Sequence, residues 1–195
     1  MTKIDASDVL TKLNLELNKY IVVSAHREEN IDNEHNFLSL MTAINTVAER
    51  YQMPIIYSTH PRSKKIIEYR NFTFHPLVRT LQPFGFIDYN KLQKNSFCVI
   101  SDSGTLSEES AILGFAGILL RTSTERPEVL DKGTVIIGGI TAKDVEQSIE
   151  LAKAIQENKE RTILVPDYVD ENVSVKVVKI IQSYAKIIDK FVWSK

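Results

Sequence analysis

The segment Asp102-Ser103-Gly104-Thr105-Leu106-Ser107-Glu108-Glu109 has the makings of an anion cradle. It follows an apolar run, FCVIS at 97–101, and leads into a stretch with helical character at 105–114 that closes on Gly114. A helix start offers unpaired amide N–H groups and the positive end of the helix dipole. Gly104 has no Cβ to keep a phosphate off the backbone, and Ser103 and Thr105 add hydroxyl donors. Glu109 suits an acceptor of ribose hydroxyls better than a neighbour of phosphate. The plainer alternative is that Thr105 and Glu108 form a capping box and nothing binds.

Three other apolar runs end in charged residues. YIVVSA (20–25) is followed by His26-Arg27-Glu28-Glu29-Asn30, and PIIYS (54–58) by Thr59-His60-Pro61-Arg62. GILLRT (117–122) is followed by Ser123-Thr124-Glu125-Arg126-Pro127-Glu128. Arginine offers phosphate a planar fork of donors, and histidine a donor or a titratable group. Each segment could equally be a solvated loop or a helix cap. Tyr89, at the start of a short helical stretch, could face a base or simply pack. Cys98 sits inside an apolar run and reads as inert core. Trp193 could be a dimer contact, an interdomain contact or part of a loose tail. No Cys/His cluster has metal-ligand spacing and no GxGxxG is present, so neither a metal nor a nicotinamide cofactor is expected.

The runs that precede these segments are apolar on both parities, as in strands buried on two faces. Strands are expected at 20–25, 54–58, 78–82, 97–101, 117–122 and 134–139. Helices are expected at 36–51, 63–70, 88–95, 105–114, 141–158 and 173–191, that at 141–158 opening on a capping-box-like Thr141 and Asp144. Such alternation predicts an α/β fold with a mostly parallel sheet, whose ligands sit beyond the carboxyl ends of the strands. With 24 Lys+Arg against 25 Asp+Glu, a generally basic nucleic-acid binder is excluded. One Cys in 195 residues leaves no internal disulfide. The apolar runs are far shorter than the ~18 residues of a membrane span. With no basic-apolar leader, a cytoplasmic protein is expected.

HREEN (26–30), STHP (58–61), SDSGTLSEES (101–110) and RTSTERPE (121–128), in this order, resemble the non-hydrolysing UDP-N-acetylglucosamine 2-epimerases. The resemblance runs over about residues 15–190 and covers the carboxyl half of that family. It implies a Rossmann-like three-layer parallel sheet, the C-terminal half of a GT-B-type fold. Residues 1–19 would be a lead-in from a missing N-terminal domain, 20–170 the nucleotide-binding domain, and 171–195 a C-terminal helix and tail.

By position, the resemblance implies that His26 is catalytic near the diphosphate and that Arg27 contacts nucleotide or effector. Ser103, Gly104, Thr105 and Arg126 would bind the diphosphate, Glu109 the ribose, and Tyr89 would lie beside uracil. His60 matches a position linked, with Arg27, to an effector site. Two positions depart from the family pattern. Thr105 stands where Gly is usual, and Glu28 where Arg or Pro is commoner. SDSGT with SEES is closer to the branch that makes UDP-N-acetyl-L-fucosamine. The implied ligands are UDP and a UDP-2-acetamido sugar. The implied partners are the missing half, on this chain or a complementary one, and a second copy in a homodimer, with no nucleic acid or membrane. The implied chemistry, metal-free and cofactor-free, is elimination of UDP to a 2-acetamidoglucal and its re-addition, for capsule, O-antigen or cell-wall precursors. The proton-moving groups would lie in the missing half, leaving this chain alone inactive. A GT-B glycosyltransferase domain and a non-catalytic interaction module are the competing readings.

Overall fold

The computed structural model describes residues 2–121, 123–132, 135–157 and 165–194. Six strands form one parallel sheet: β1 (Ile21–Ser24), β2 (Ile55–Ser58), β3 (Val78–Leu81), β4 (Cys98–Ser101), β5 (Gly117–Leu119) and β6 (Val135–Ile137). Their order is β3-β2-β1-β4-β5-β6. The chain runs outward from β1 to β3, returns to lay β4 against β1, and continues outward to β6. The direction of winding therefore reverses between β1 and β4, and a crevice opens beyond their carboxyl ends. This is the parallel α/β sheet expected from the alternation of elements, in the Rossmann-like form that the resemblance implies.

The helices are α1 (Thr2–Asp5), α2 (Val9–Lys12), α3 (Glu28–Ile31), α4 (Glu34–Tyr51), α5 (Pro61–Tyr69), α6 (Phe86–Asn95), α7 (Leu106–Leu113), α8 (Pro127–Asp131), α9 (Ala142–Glu157) and α10 (Val173–Phe191). Several begin earlier than the apolar spacing predicts, because caps set the starts. Asn33 accepts from the Asn36 amide at 3.0 Å and starts α4 at Glu34. Pro61 opens α5 with its fixed φ, and His60 Nδ1 accepts from the Arg62 amide at 3.3 Å. The Thr141–Asp144 box forms, with the hydroxyl donating to the carboxylate at 2.6 Å and accepting from the Asp144 amide at 3.3 Å. Gly114 closes α7 at φ 75°, the left-handed conformation that costs glycine little. The short helices α1, α2, α3 and α8 carry too little apolar periodicity to be read from sequence. The expected strand boundaries at Thr122 and Thr134 and the helix end at Asn158 lie outside the described residues.

The sheet core is apolar. Ile21, Val22 and Val23 of β1, Ile55 and Ile56 of β2 and Val99 of β4 are fully buried, which is why these runs lack polar alternation. Cys98 is buried among them, and burial pushes its thiol well above the usual range, so it is unreactive core. Residues 1–19, expected as a lead-in, carry α1 and α2, which pack on α6. Ser7 donates to Asp88 at 2.6 Å and Lys94 pairs with Asp5 at 2.6 Å. Residues 165–195 form a separate unit dominated by α10, an amphipathic helix with Val173, Val177, Ile180, Ile181, Tyr184 and Ile188 along one stripe. Among the described residues, no helix is long and apolar enough to cross a membrane.

Gly138, just past β6, shows how closely the outer strands pack. A Cβ there would stand 2.6 Å from Ile118 Cγ2 and 3.0 Å from Ser148 Oγ, both on packed elements. Gly138→Ala is therefore expected to destabilise the domain by about 1–3 kcal/mol, read as a lower urea midpoint at unchanged m-value.

Candidate nucleotide site

The register Ser24↔Ser101 puts the ends of β1 and β4 level, so the segments that follow them lie side by side. They are joined through Asp102, whose side chain is fully buried. Its Oδ2 accepts from the His26 and Arg27 amides, each at 2.9 Å, and from Asn30 Nδ2 at 3.1 Å. Its Oδ1 lies 3.4 Å from His26 Nδ1. Its backbone carbonyl accepts from Arg121 Nε and NH2 at 3.0 and 2.9 Å. One residue thus ties together the segments after β1, β4 and β5. The sequence reading quoted Asp102 but gave it no role. A buried acceptor serving amides 75 residues away leaves no local signal in a sequence.

The segment after β1 is only partly a loop. Arg27 caps α3 and pairs with Glu29 at 2.8 Å, so only His26 and Arg27 remain at the strand mouth. The Ala25 carbonyl just before them accepts from Tyr57 Oη at 3.0 Å and Ser63 Oγ at 3.1 Å, which pins the turn. His60, at the end of the neighbouring strand segment, lies with its ring centre 5.9 Å from that of His26. The fold thus brings together His26, Arg27 and His60 beside Asp102. Arg62 holds this corner from outside, bridging Glu28 and Asp32 at 2.5 Å each.

At the β4–α7 turn the Ser103 amide is taken by Ser101 Oγ at 3.1 Å, so it is not part of an open cradle. The Gly104 and Thr105 amides have no acceptor among the described residues. The Ser103 and Thr105 hydroxyls lie 3.0 Å apart. The capping box is not formed: Thr105 makes no side-chain cap bond. Glu108 instead accepts from Arg126 Nε at 2.5 Å. The place a Cβ would occupy on Gly104 is approached by Arg126 NH1 at 3.4 Å, Arg126 NH2 at 3.7 Å and Arg121 NH2 at 3.8 Å. Two open amides, two hydroxyls and two guanidinium groups therefore converge at one turn. Such a set of donors suits a phosphate-like anion. Arg121, 9% exposed, is held rigidly by Asp102 and by Glu125 at 3.1 Å. Arg121 lies inside the GILLRT run, so the sequence pattern does not mark it as a site residue.

Glu109 and Tyr89 lie further along, on α7 and α6. Burial raises the Glu109 carboxyl above its ordinary range, hydrogen bonds from Gln93 and Thr105 oppose the rise, and the charge of Glu108 adds to it. Burial pushes the Tyr89 phenol up to about 12, with Ser24 acting the other way and the charges of Glu109 and Asp102 adding to the rise. Tyr89 is thus a neutral donor on the β1 side of the crevice.

The sign for stability follows from linkage. A carboxyl raised in the folded state favours folding below the ordinary carboxyl range, and that contribution is lost as pH rises through the shifted value. Glu109→Gln removes the charge. Near neutral pH the variant is expected to be at least as stable as the native chain in urea, with a flatter stability profile through the carboxyl range. Any weakening of nucleotide binding would then be separable from damage to the fold.

Comparison with known proteins bears on the family and the fold. The family model for UDP-N-acetylglucosamine 2-epimerase matches residues 1–182. The UDP-N-acetylglucosamine 2-epimerase of Methanococcus maripaludis is 34% identical over 145 residues, covering 72% of this chain and 39% of that protein. The structure of UDP-N-acetylglucosamine 2-epimerase from Rickettsia bellii superposes with a TM-score of 0.79 at 38% identity, over 100% of this chain and 52% of that one. That of UDP-GlcNAc 2-epimerase from Neisseria meningitidis, bound to UDP-GlcNAc, superposes with a TM-score of 0.67 at 26% identity, over 82% of this chain and 44% of that one. The chain therefore spans about half, or less, of the length of the relatives it matches. Within that span, the match over residues 1–182 shows that this chain belongs to the UDP-N-acetylglucosamine 2-epimerase family.

Proposed function

We propose that this chain is the nucleotide-binding half of an enzyme that epimerises a UDP-2-acetamido sugar at C2. One observation carries the reading: the Gly104 and Thr105 amides lack acceptors among the described residues while Arg121 and Arg126 press against the same turn. The ligand class is supported by the Neisseria relative, which binds UDP-GlcNAc. In this reading the two amides, the Ser103 and Thr105 hydroxyls and the Arg126 guanidinium hold the diphosphate. Glu109 accepts from the ribose, and Tyr89 lies beside the uracil. His26 stands next to the diphosphate, with its Nδ1 3.4 Å from Asp102 Oδ1. Arg27 and His60 form the corner open to an effector.

The chemistry assigned to these residues is electrostatic. Elimination of UDP from C1 builds negative charge on the leaving diphosphate, and donors already fixed in place stabilise it without reorganising. The C2 proton needs a general acid–base pair. We assign that pair to the complementary half of the enzyme. The chain alone is then expected to bind UDP and not to turn over a UDP-sugar. We further assign it to the cytosol, as a supplier of precursors for surface polysaccharide, with a second copy of the enzyme as its partner in a dimer.

Calorimetric titration with UDP tests the binding part. Saturable heat below millimolar UDP, competed by UDP-GlcNAc, is expected, and its absence would exclude the nucleotide reading. Epimerisation is expected only when the complementary half is supplied. Turnover by the chain alone would overturn the placement of the proton-moving groups. Sugar transfer to an acceptor by the restored enzyme would instead favour a transferase.

A further inference from the structure

Gln93 occupies the turn of α6 after Tyr89 and is 1% exposed. Its Nε2 donates to Glu109 Oε2 at 2.7 Å. Its Oε1 is buried with no hydrogen-bond partner among the described residues. A buried carbonyl with no donor works against folding, and leucine or methionine would fill similar space without it. Packing therefore does not account for a glutamine here; the bond to Glu109 does.

We propose that Gln93 is a positioning residue for Glu109: its amide holds one carboxylate oxygen and so sets the direction in which the carboxylate meets a vicinal diol. The proposal rests on the reading of this site as a uridine nucleotide site and adds the residue that sets its preference for the intact ribose. The groups facing Glu109 are Glu108 and the Thr105 hydroxyl from the start of its own helix, and Gln93 and the phenol of Tyr89 from α6. None of these is a cation. The neutral amide holds the carboxylate without quenching its charge, so its strength as an acceptor is kept. A protonated Glu109 no longer offers that amide, or a ligand, a charged acceptor. Nucleotide binding should then fail on the acid side.

The test uses the chain as it is, with Gln93→Leu and Gln93→Met, titrated with UDP and with 2′,3′-dideoxy-UDP over a range of pH. The native chain should prefer UDP by about tenfold, the worth of one well-placed charge-assisted bond. Both variants should weaken UDP to the level of the dideoxy nucleotide while leaving the latter unchanged. They should also move the acid limb of UDP binding upward by about one pH unit, because the donor that favours the ionised carboxyl is gone. Unchanged preference and pH limb in variants that bind UDP would overturn the role of Gln93 and leave the nucleotide reading standing. If the native chain binds neither nucleotide, that reading falls, and carboxyl-13C NMR of Glu109 in the free protein decides the remainder. An identical Glu109 titration in Gln93→Leu would overturn the coupling, and a raised one would support it. Loss of the fold in both variants would make Gln93 structural and overturn the proposal.

Discussion

Replacing Asp102 with alanine is expected to cost about 3 kcal/mol or more of folding stability and to abolish UDP binding. The His26 and Arg27 amides and the Asn30 side-chain amide all donate to this one carboxylate, which is fully buried. Alanine strands these donors away from water, at about 1–3 kcal/mol for each buried donor left unpaired. The segment after β1 would lose its register against β4, and His26 its orienting partner. Asp102→Asn keeps one acceptor oxygen but turns an N–H toward other donors, so a smaller loss of about 1–2 kcal/mol is expected. The asparagine variant is the informative one. In urea it should remain a cooperative, folded protein, and in calorimetry its UDP affinity should still fall sharply. Native-like affinity in that variant would show that Asp102 serves the fold and not the site.

Arg126→Ala should weaken UDP by about 30- to 100-fold, the loss of two charge-assisted hydrogen bonds to phosphate. Arg126→Lys should recover only part of this, because an ammonium keeps the charge but not the planar fork. The complication is Glu108, which accepts from Arg126 Nε and whose second oxygen, Oε2, is buried without a hydrogen-bond partner among the described residues. Removing the arginine leaves that carboxylate uncompensated, so some loss of stability is expected as well. The pair Arg126→Ala with Glu108→Gln separates the two effects. Stability should return toward the native value, while UDP affinity stays low. If affinity also returns, Glu108 was holding the site closed and the diphosphate rests on other donors. The native affinity should fall with added salt, and less steeply in Arg126→Ala, as for any contact between a guanidinium and phosphate.

The strands were legible because a parallel sheet covered on both faces needs continuous apolar runs, as at 20–25 and 97–101. Capping chemistry announced Thr141 and Gly114 for the same local reason: the residue that satisfies or terminates the helix is adjacent in sequence. His26, Arg27, His60, Ser103, Gly104, Thr105, Glu109 and Arg126 could be named in advance because each follows a strand or opens a helix. That rule needs only the order of elements.

Other features depended on which strand lies beside which. Thr105 and Glu108 look like a capping box in the sequence, yet Glu108 turns to Arg126, delivered by a different strand end. The Ser103 amide reads as part of the cradle, yet Ser101 Oγ takes it. Asp102, Arg121 and Gln93 act through partners 76, 19 and 16 residues away. Sequence by itself determined the strands, the longer helices, the parallel class and the chemical character of the strand ends, because these follow from burial and hydrogen bonding between near neighbours in the chain. Only the tertiary structure decided which donors stay open and which are spent on one another, because that competition is settled by distance in space, and the order β3-β2-β1-β4-β5-β6 sets those distances.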